Sequence, residues 1–429
     1  MKKIGNYSKK SLFKHLEELF PICRSITGEG IRKTLSYFES YHTELKRLKF
    51  NSGEKVFDWE IPLEWNITDA YIEHINSKKR YAEFKKNNLH VVGYSYPVNK
   101  VLNFEELIKR IHTLNENENW IPYITSYYKK YWGFCMTSKE KKTLPKGAYR
   151  IFIDSNLKKG TLDLSHAILK GESKKEILFS SYVCHPSMAN NELSGPVVLN
   201  AILDYLKKNY KNRKYTYRFI LQPETIGAIS YLAKYKNTLT KNVICGFNLS
   251  CVGDEKAYSY VSSPYGDTLA DKGIFAAINK FKNFKQYSYL DRGSDERQFC
   301  APGIRLPLIT FSKSKFGKYP EYHSSGDNLG IVSNKGLMDS FKVFKNIIDA
   351  FETGLYPKLK TYGEPQLGKR NLYPNLSTLQ VTHPAKFRMD FLAYCDGKSS
   401  IFDICKILNC DLESLNKEYK LLKNNNLLS

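Results

Sequence analysis

From about residue 161 onward, short apolar runs alternate with helix-length segments, and no other feature of the sequence narrows the fold as far. The runs are Ile177-Leu178-Phe179, Tyr217-Arg218-Phe219-Ile220-Leu221, Val243-Ile244-Cys245-Gly246-Phe247 and Leu306-Pro307-Leu308-Ile309-Thr310-Phe311. Strands interleaved with helices in this way predict an α/β sheet domain.

The rest of the chain is patterned differently. Between residues 8 and 45, Leu12, Leu16, Leu19 and Phe20, then Ile31, Leu35 and Phe38, recur at helical spacing around a break at Arg24-Ser25-Ile26-Thr27-Gly28 that is expected to pack against another element. From about 55 to 160 short β-rich pieces such as Leu89-His90-Val91-Val92-Gly93-Tyr94 predict a small β domain. Its Tyr127, Tyr128, Trp132 and Phe134 read as core packing in preference to a sugar-stacking set. Pro357, Pro365, Pro374 and Pro384 mark a linker over 356–385, and three helix starts follow with the spacing of a winged helix. In residues 386–429 seven Lys and Arg face six Asp and Glu, and the third helix opens with Asp411 and Glu413, so specific nucleic-acid binding is not expected.

At 429 residues the chain has room for two or three domains, and its 42% hydrophobic and 25% charged content excludes fibrous and disordered classes. The start is basic but carries no apolar run of signal-peptide length, and no membrane span is visible, which predicts a cytoplasmic protein. Nine cysteines without a CxxC pair read as reduced thiols rather than a disulfide framework or zinc ribbon. The formal net charge of +23 is mostly scattered lysine, read as a solvated surface and not as a dedicated patch. There is no P-loop, no GxGxxG after a strand and no HExxH.

In an open α/β sheet, ligands bind beyond the carboxyl ends of the strands. Here those positions hold Cys184-His185-Pro186-Ser187, Asn191-Glu192, Gln222-Pro223-Glu224, Asn248-Leu249-Ser250, Ser294-Asp295-Glu296-Arg297 and Tyr322-His323-Ser324-Ser325. Imidazoles and carboxylates gathered on such loops can hold zinc, and a glutamate beside the ion can take a proton from water.

These motifs, with Pro21-Ile22-Cys23-Arg24-Ser25-Ile26-Thr27-Gly28, Glu64-Trp65-Asn66-Ile67, Trp132-Gly133-Phe134-Cys135 and Gly293-Ser294-Asp295-Glu296-Arg297-Gln298-Phe299, carry a resemblance. The sequence resembles, over almost its whole length, a bacterial family of proteins with an aminopeptidase-like domain often found near polysaccharide-biosynthesis genes. That family is related in fold to zinc-dependent exopeptidases and glutaminyl cyclases. The resemblance implies an aminopeptidase-like α/β domain from residues 1–55 and 161–355, an inserted β-rich domain over 56–160, and a winged-helix-like module over 386–429 after the 356–385 linker.

It also implies site residues. His185 and His323 fall on the first and last metal-binding histidines, and Glu224 on the general base. Asn191, Thr225 and Ser250 stand where exopeptidases carry carboxylate ligands, so a dinuclear site is not expected. The expectation is one zinc ion on His185, Glu192 and His323, with Glu224 as base. Asn191, Asp295, Glu296 and Arg297 are expected to orient substrate or support the ligands, while Arg24 either holds an anionic group in the cleft or forms a buried salt bridge. Two functions follow: a zinc-dependent aminopeptidase-like hydrolase acting on an amide of a peptide or amino-sugar-derived compound, probed as a small-molecule or peptide substrate, or a catalytically degenerate binding protein on the same fold. Homo-oligomerisation stays open.

Overall fold

The structure is a computed structural model, and it describes residues 6–373 and 383–429. Residues 1–5 and the part of the expected linker from 374 to 382, with Pro374, lie outside the described residues.

Eight strands form one sheet: β1 (Lys46–Asn51), β2 (Thr161–Leu169), β3 (Glu176–Tyr182), β4 (Thr216–Gln222), β5 (Val243–Leu249), β6 (Tyr258–Val261), β7 (Phe284–Tyr287) and β8 (Leu308–Ser312). Their order is β1-β2-β4-β3-β5-β8-β6-β7. The centre, β4-β3-β5-β8, is parallel, and antiparallel strands flank it. Every residue of β3, β4 and β8 is buried, as expected of strands covered on both faces.

Alternation sorts the side chains into two layers. Ile177, Phe179, Tyr217, Phe219, Ala167 and Leu169 face one core, whereas Leu178, Ile220, Leu162 and Leu164 face the other. The first core packs against helices α1 (Leu12–Leu19), α2 (Glu29–Tyr41), α3 (Ser194–Asn209), α5 (Leu269–Ile278) and α6 (Asn334–Gly354). The second packs against α4 (Ile226–Asn242). The break before α2 is held by Gly28, whose φ of +93° leaves no room for a side chain beneath the Trp65 carbonyl, and by Glu29 N–H donating to Asn66 Oδ1 at 2.7 Å.

The chain leaves the main sheet after β1 and returns at β2, its immediate neighbour. In between, Glu64–His74, Arg80–Tyr81, Val98–Asn103 and Ala148–Lys158 build a four-stranded antiparallel sheet over a core that includes Trp132, Phe134 and Ile151. Arg32 of α2 grips Glu64 through both terminal nitrogens at 2.8 and 2.7 Å, and Glu64 Oε2 also accepts the Thr161 N–H at 3.2 Å. One carboxylate thus clamps both ends of the excursion to the first domain.

Leu89–Tyr94, expected to be extended, is instead a 3-10 turn over Asn88–His90 followed by isolated bridges. Asn87 Oδ1 accepts the Leu89 N–H at 2.9 Å, and this local capping outcompetes a sheet ladder. The segment expected to be a linker begins with residues 358 and 359 bridged to Asp396 and Leu428, because the carboxyl-terminal module needs those backbone partners. The module's helices are α7 (His383–Ala393), α8 (Ile401–Ile407) and α9 (Leu412–Asn424). Their Phe391, Ile401, Phe402, Leu415 and Tyr419 belong to the same hydrophobic core as Phe344 and Phe351 of α6. No helix among the described residues is long and apolar enough to cross a membrane, and the nine cysteines are free.

Candidate functional site

The carboxyl ends of β3 and β4 converge on a cavity of about 420 Å³. His185 follows β3, Glu224 and Thr225 follow β4, and His323 reaches in from the loop after β8. The roof comes from the inserted domain. Tyr123 donates its N–H to the His323 carbonyl at 2.9 Å, and Ile121 and Ser325 exchange two further bonds of 2.9 Å. Tyr123, Tyr127 and Tyr128 therefore sit over the strand ends. Trp132 and Phe134 pack in the insertion's core, so the four aromatics read together from the sequence divide between two jobs.

A π-helical turn over Ala189–Leu193 swings Glu192 back toward β3, a local departure of the kind that recurs at functional sites. Asp327 holds it, accepting the N–H groups of Ala189, Asn190 and Asn191 at 3.0, 2.6 and 2.9 Å. Glu192 Oε2 consequently lies 3.0 Å from His185 Nδ1, and Cys184 Sγ lies 3.4 Å from the same nitrogen. These three donors lie within 4.8 Å of one another. His323 stands beside the cluster, its ring centroid 5.4 Å from that of His185 and stacked on Tyr322 at 3.9 Å. Glu224 Oε2 is 3.8 Å from His185 Nε2.

Arg24 is fully buried and does not line the cavity. Its Nε donates to the His185 carbonyl at 3.0 Å and lies 3.5 Å from Glu192 Oε1, so of its two expected roles the structure places it in the buried salt bridge. Asp295 accepts the Thr225 N–H at 2.8 Å and the Gln222 amide at 3.1 Å. Together with Arg297, which donates to Thr225 Oγ1 at 3.0 Å, it holds Thr225 at a φ of +63°, a conformation that persists only when its surroundings over-determine it. Glu296 turns away, accepting from Gly293 and Ser294 N–H and from Thr310, and ties its loop to β8. Of the Asp295-Glu296-Arg297 trio only Arg297 lines the cavity.

Burial sets the electrostatics. It drives His185 and His323 each down to about 3, helped by Arg24 beside His185 and by His185 beside His323, so both imidazoles are neutral at physiological pH. It pushes Glu224 up to about 8, reinforced by Asp295, and Glu192 up to about 8 against the pull of Arg24.

The donor set distinguishes one metal ion from two. Tyr182 donates to Asn191 Oδ1 at 2.7 Å and shares a 2.7 Å bond with Ser250 Oγ, so a phenol fills the space between two of the positions that the family resemblance aligned with carboxylate ligands. Those groups are neutral and already satisfied, and two divalent ions do not fit them. One ion is the better match: neutral imidazole is the ligating form, Cys184, His185 and Glu192 offer donors within 4.8 Å of one another, and His323 Nε2, outside that cluster, is buried with no hydrogen-bond partner.

Comparison with known proteins places the chain. A family profile described as a domain of unknown function, DUF4910, matches residues 13–354, and a winged helix-turn-helix profile matches residues 354–429. The chain belongs to the DUF4910 family. A Clostridium acetobutylicum protein, provisionally named a polysaccharide biosynthesis protein with aminopeptidase-like domain, is 40% identical to this DUF4910 chain over 413 residues, 94% of each. The crystal structure of a presumed peptidase from Clostridium acetobutylicum superposes with a TM-score of 0.88 at 37% identity, covering 99% of this chain and 97% of that one. BSAP, a zinc aminopeptidase from Bacillus subtilis, shares the fold at a TM-score of 0.57 and 14% identity, covering 81% and 95%. The α/β class with an aminopeptidase-like sheet domain and a winged helix-turn-helix module is thereby established for the DUF4910 chain.

The sequence did not single out Cys184, Tyr123, Tyr182 or Asp327 as site residues. Cys184 adjoins His185, and Asp327 lies four residues beyond His323 in the same loop, so both signals were present. Tyr182 ends an apolar strand and reads as core.

Proposed function

We propose that this DUF4910 chain is a cytoplasmic hydrolase of aminopeptidase-like chemistry that cleaves an amide in a peptide or amino-sugar-derived compound, in the polysaccharide context that its Clostridium acetobutylicum relative's name suggests. The observation that supports this most directly is the convergence of two neutral imidazoles and Glu224 on one cavity, with Glu192 buried behind His185 at 3.0 Å. His185, Glu192 and His323 are the residues to hold a single zinc ion, which supplies Lewis-acid polarisation of the amide carbonyl.

The chain's own groups do the rest. Glu224 Oε2 takes the proton of the attacking water and returns it to the leaving nitrogen as the C–N bond breaks, and its raised affinity for a proton suits both transfers near neutral pH. Asp295 positions the Gln222–Thr225 turn that carries it. Arg297 presents a cation at the cavity wall for a carboxylate of the substrate. Tyr123 and Tyr127 cover the site and exclude water.

Elemental mass spectrometry after identical dialysis is the test. One zinc per chain in the parent and in Glu224→Gln, lost in His185→Ala and His323→Ala, is the expected result. Hydrolysis of a peptide or amino-acid amide should then fall by about 10²–10⁴-fold in Glu224→Gln. No metal in any sample after zinc is offered would overturn the hydrolase reading and leave a binding protein.

A further inference from the structure

A second cavity, of about 700 Å³, adjoins the first, and the ring of Tyr128 lines both. Its walls are the residues around the Lys55–Glu60 hairpin, the Tyr94–Tyr96 turn and the end of the Ala148–Lys158 strand. Tyr128 is 53% exposed, yet it is fixed: its φ is +65°, its hydroxyl donates to the Glu60 carbonyl at 2.9 Å, and its ring meets Trp59 edge-on at 6.0 Å. An open aromatic face held in one conformation offers a surface for stacking. Tyr96 adds a second ring, with Lys130 Nζ 5.7 Å from its centroid.

The cations around this cavity are lysines. Lys129, Lys130 and Lys159 line it, are exposed, and make no salt bridge among the described residues. Glu60 is the carboxylate of the lining. Ring faces suit the C–H face of a sugar, ammonium groups suit an anion attached to it, and Glu60 can accept a hydroxyl. No helix N-terminus or arginine fork opens here, so the cradle that a nucleotide's phosphates would use is missing from the lining. The volume lies within the roughly 300–1,000 Å³ of ordinary ligand sites.

We propose that this second cavity binds an anionic saccharide unit, a sugar ring bearing a carboxylate or a phosphate, and delivers the linked scissile group past Tyr128 to the first cavity. The delivery clause rests on the hydrolase reading; the binding clause does not.

Calorimetry on the full chain at low salt tests it with three probes: an oligogalacturonate trimer, a hexose 1-phosphate and neutral maltotriose. At least one anionic probe should bind saturably, one per chain, roughly tenfold or more tighter than maltotriose, and which one binds names the anion. Lys130→Glu/Lys159→Glu and, separately, Tyr128→Ala should each weaken binding by about tenfold or more. Lys282→Glu/Lys285→Glu, the same charge change at the opposite edge of the main sheet, should leave it unchanged. His185→Ala should also bind normally, so that loss of metal and loss of the saccharide site are separately visible. The proposal is overturned if neither anionic probe saturates, if maltotriose binds equally, or if the Lys282/Lys285 pair costs as much as the Lys130/Lys159 pair.

Discussion

The hydroxyl of Tyr182 lies between Asn191 and Ser250 at 2.7 Å from each, with Cys251 Sγ against both of those side chains. Because Asn191 Oδ1 can only accept, the phenol proton goes to it and the Ser250 hydroxyl donates in return. Tyr182, Asn191, Ser250 and Cys251 thus close a network of neutral side chains that would otherwise leave buried polar atoms unpaired. Tyr182→Phe should lower the free energy of unfolding by about 1–3 kcal/mol in urea titrations without adding a metal ion. Combining it with Asn191→Asp and Ser250→Asp should raise metal uptake above one ion per chain in equilibrium dialysis against zinc; uptake unchanged from the parent would show that the phenol is not what limits the site. Asn191 and Ser250 were singled out as altered ligand positions only through the family resemblance. Tyr182 could not be, because nothing in a local pattern separates a buried tyrosine with two polar partners from one packed among hydrocarbons.

At the scale of elements, the strands were legible because their apolar runs are short, dense and separated by helix-length segments; all four runs named from the sequence overlap β3, β4, β5 and β8. Leu89–Tyr94 was misleading since β-branched content does not outweigh a capped turn at Asn87. The clamp at Glu64 joins α2 to both ends of the insertion, and Arg32 holds its carboxyl down at about 2, below the usual ~4.3. A depressed carboxyl stabilises the fold above its unfolded value and ceases to do so as pH falls through its folded one. Acid titration followed by tryptophan fluorescence should therefore show the parent losing stability between about pH 4 and about pH 2, while Glu64→Gln, already short by about 1 kcal/mol at neutral pH, loses less over that window. Helix α9, the third of the winged-helix module, lies against α6: Asn416 donates to the Asn346 carbonyl at 2.9 Å, and Lys420 pairs with Asp349 at 3.2 Å. That contact occupies one face of α9, Glu413 and Lys417 on the other stay exposed, and the acidic start at Asp411 and Glu413 disfavours a phosphate contact. Retention of DNA in shift assays should follow ionic strength alone and be indifferent to sequence; a discrete footprint would contradict this.

Across the whole molecule, one hydrophobic core runs from α1 through the sheet to Tyr419 and Leu422 of the module, so the carboxyl-terminal residues are part of the main domain's packing. The sequence could not show this, because a winged-helix pattern specifies its own three helices and not the surface they cover. The cavity is likewise a product of assembly. Its floor comes from strand ends that alternation locates, and its roof comes from an insertion whose position depends on contacts more than a hundred residues apart, such as Tyr123 with His323.

The insertion departs after Asn51 and returns at Thr161, and those two residues are register partners on adjacent strands. Residues 52–160 can therefore be regarded as an enlarged hairpin loop. A single genetic event that exchanged this loop for a tight turn would leave the β1-β2 pairing intact while stripping the roof from the site, and a different loop spliced at the same point would install a different roof. Diversity in what such proteins accept as ligands can accumulate at one pair of neighbouring codon positions in the fold, with the sheet and its strand-end residues inherited unchanged.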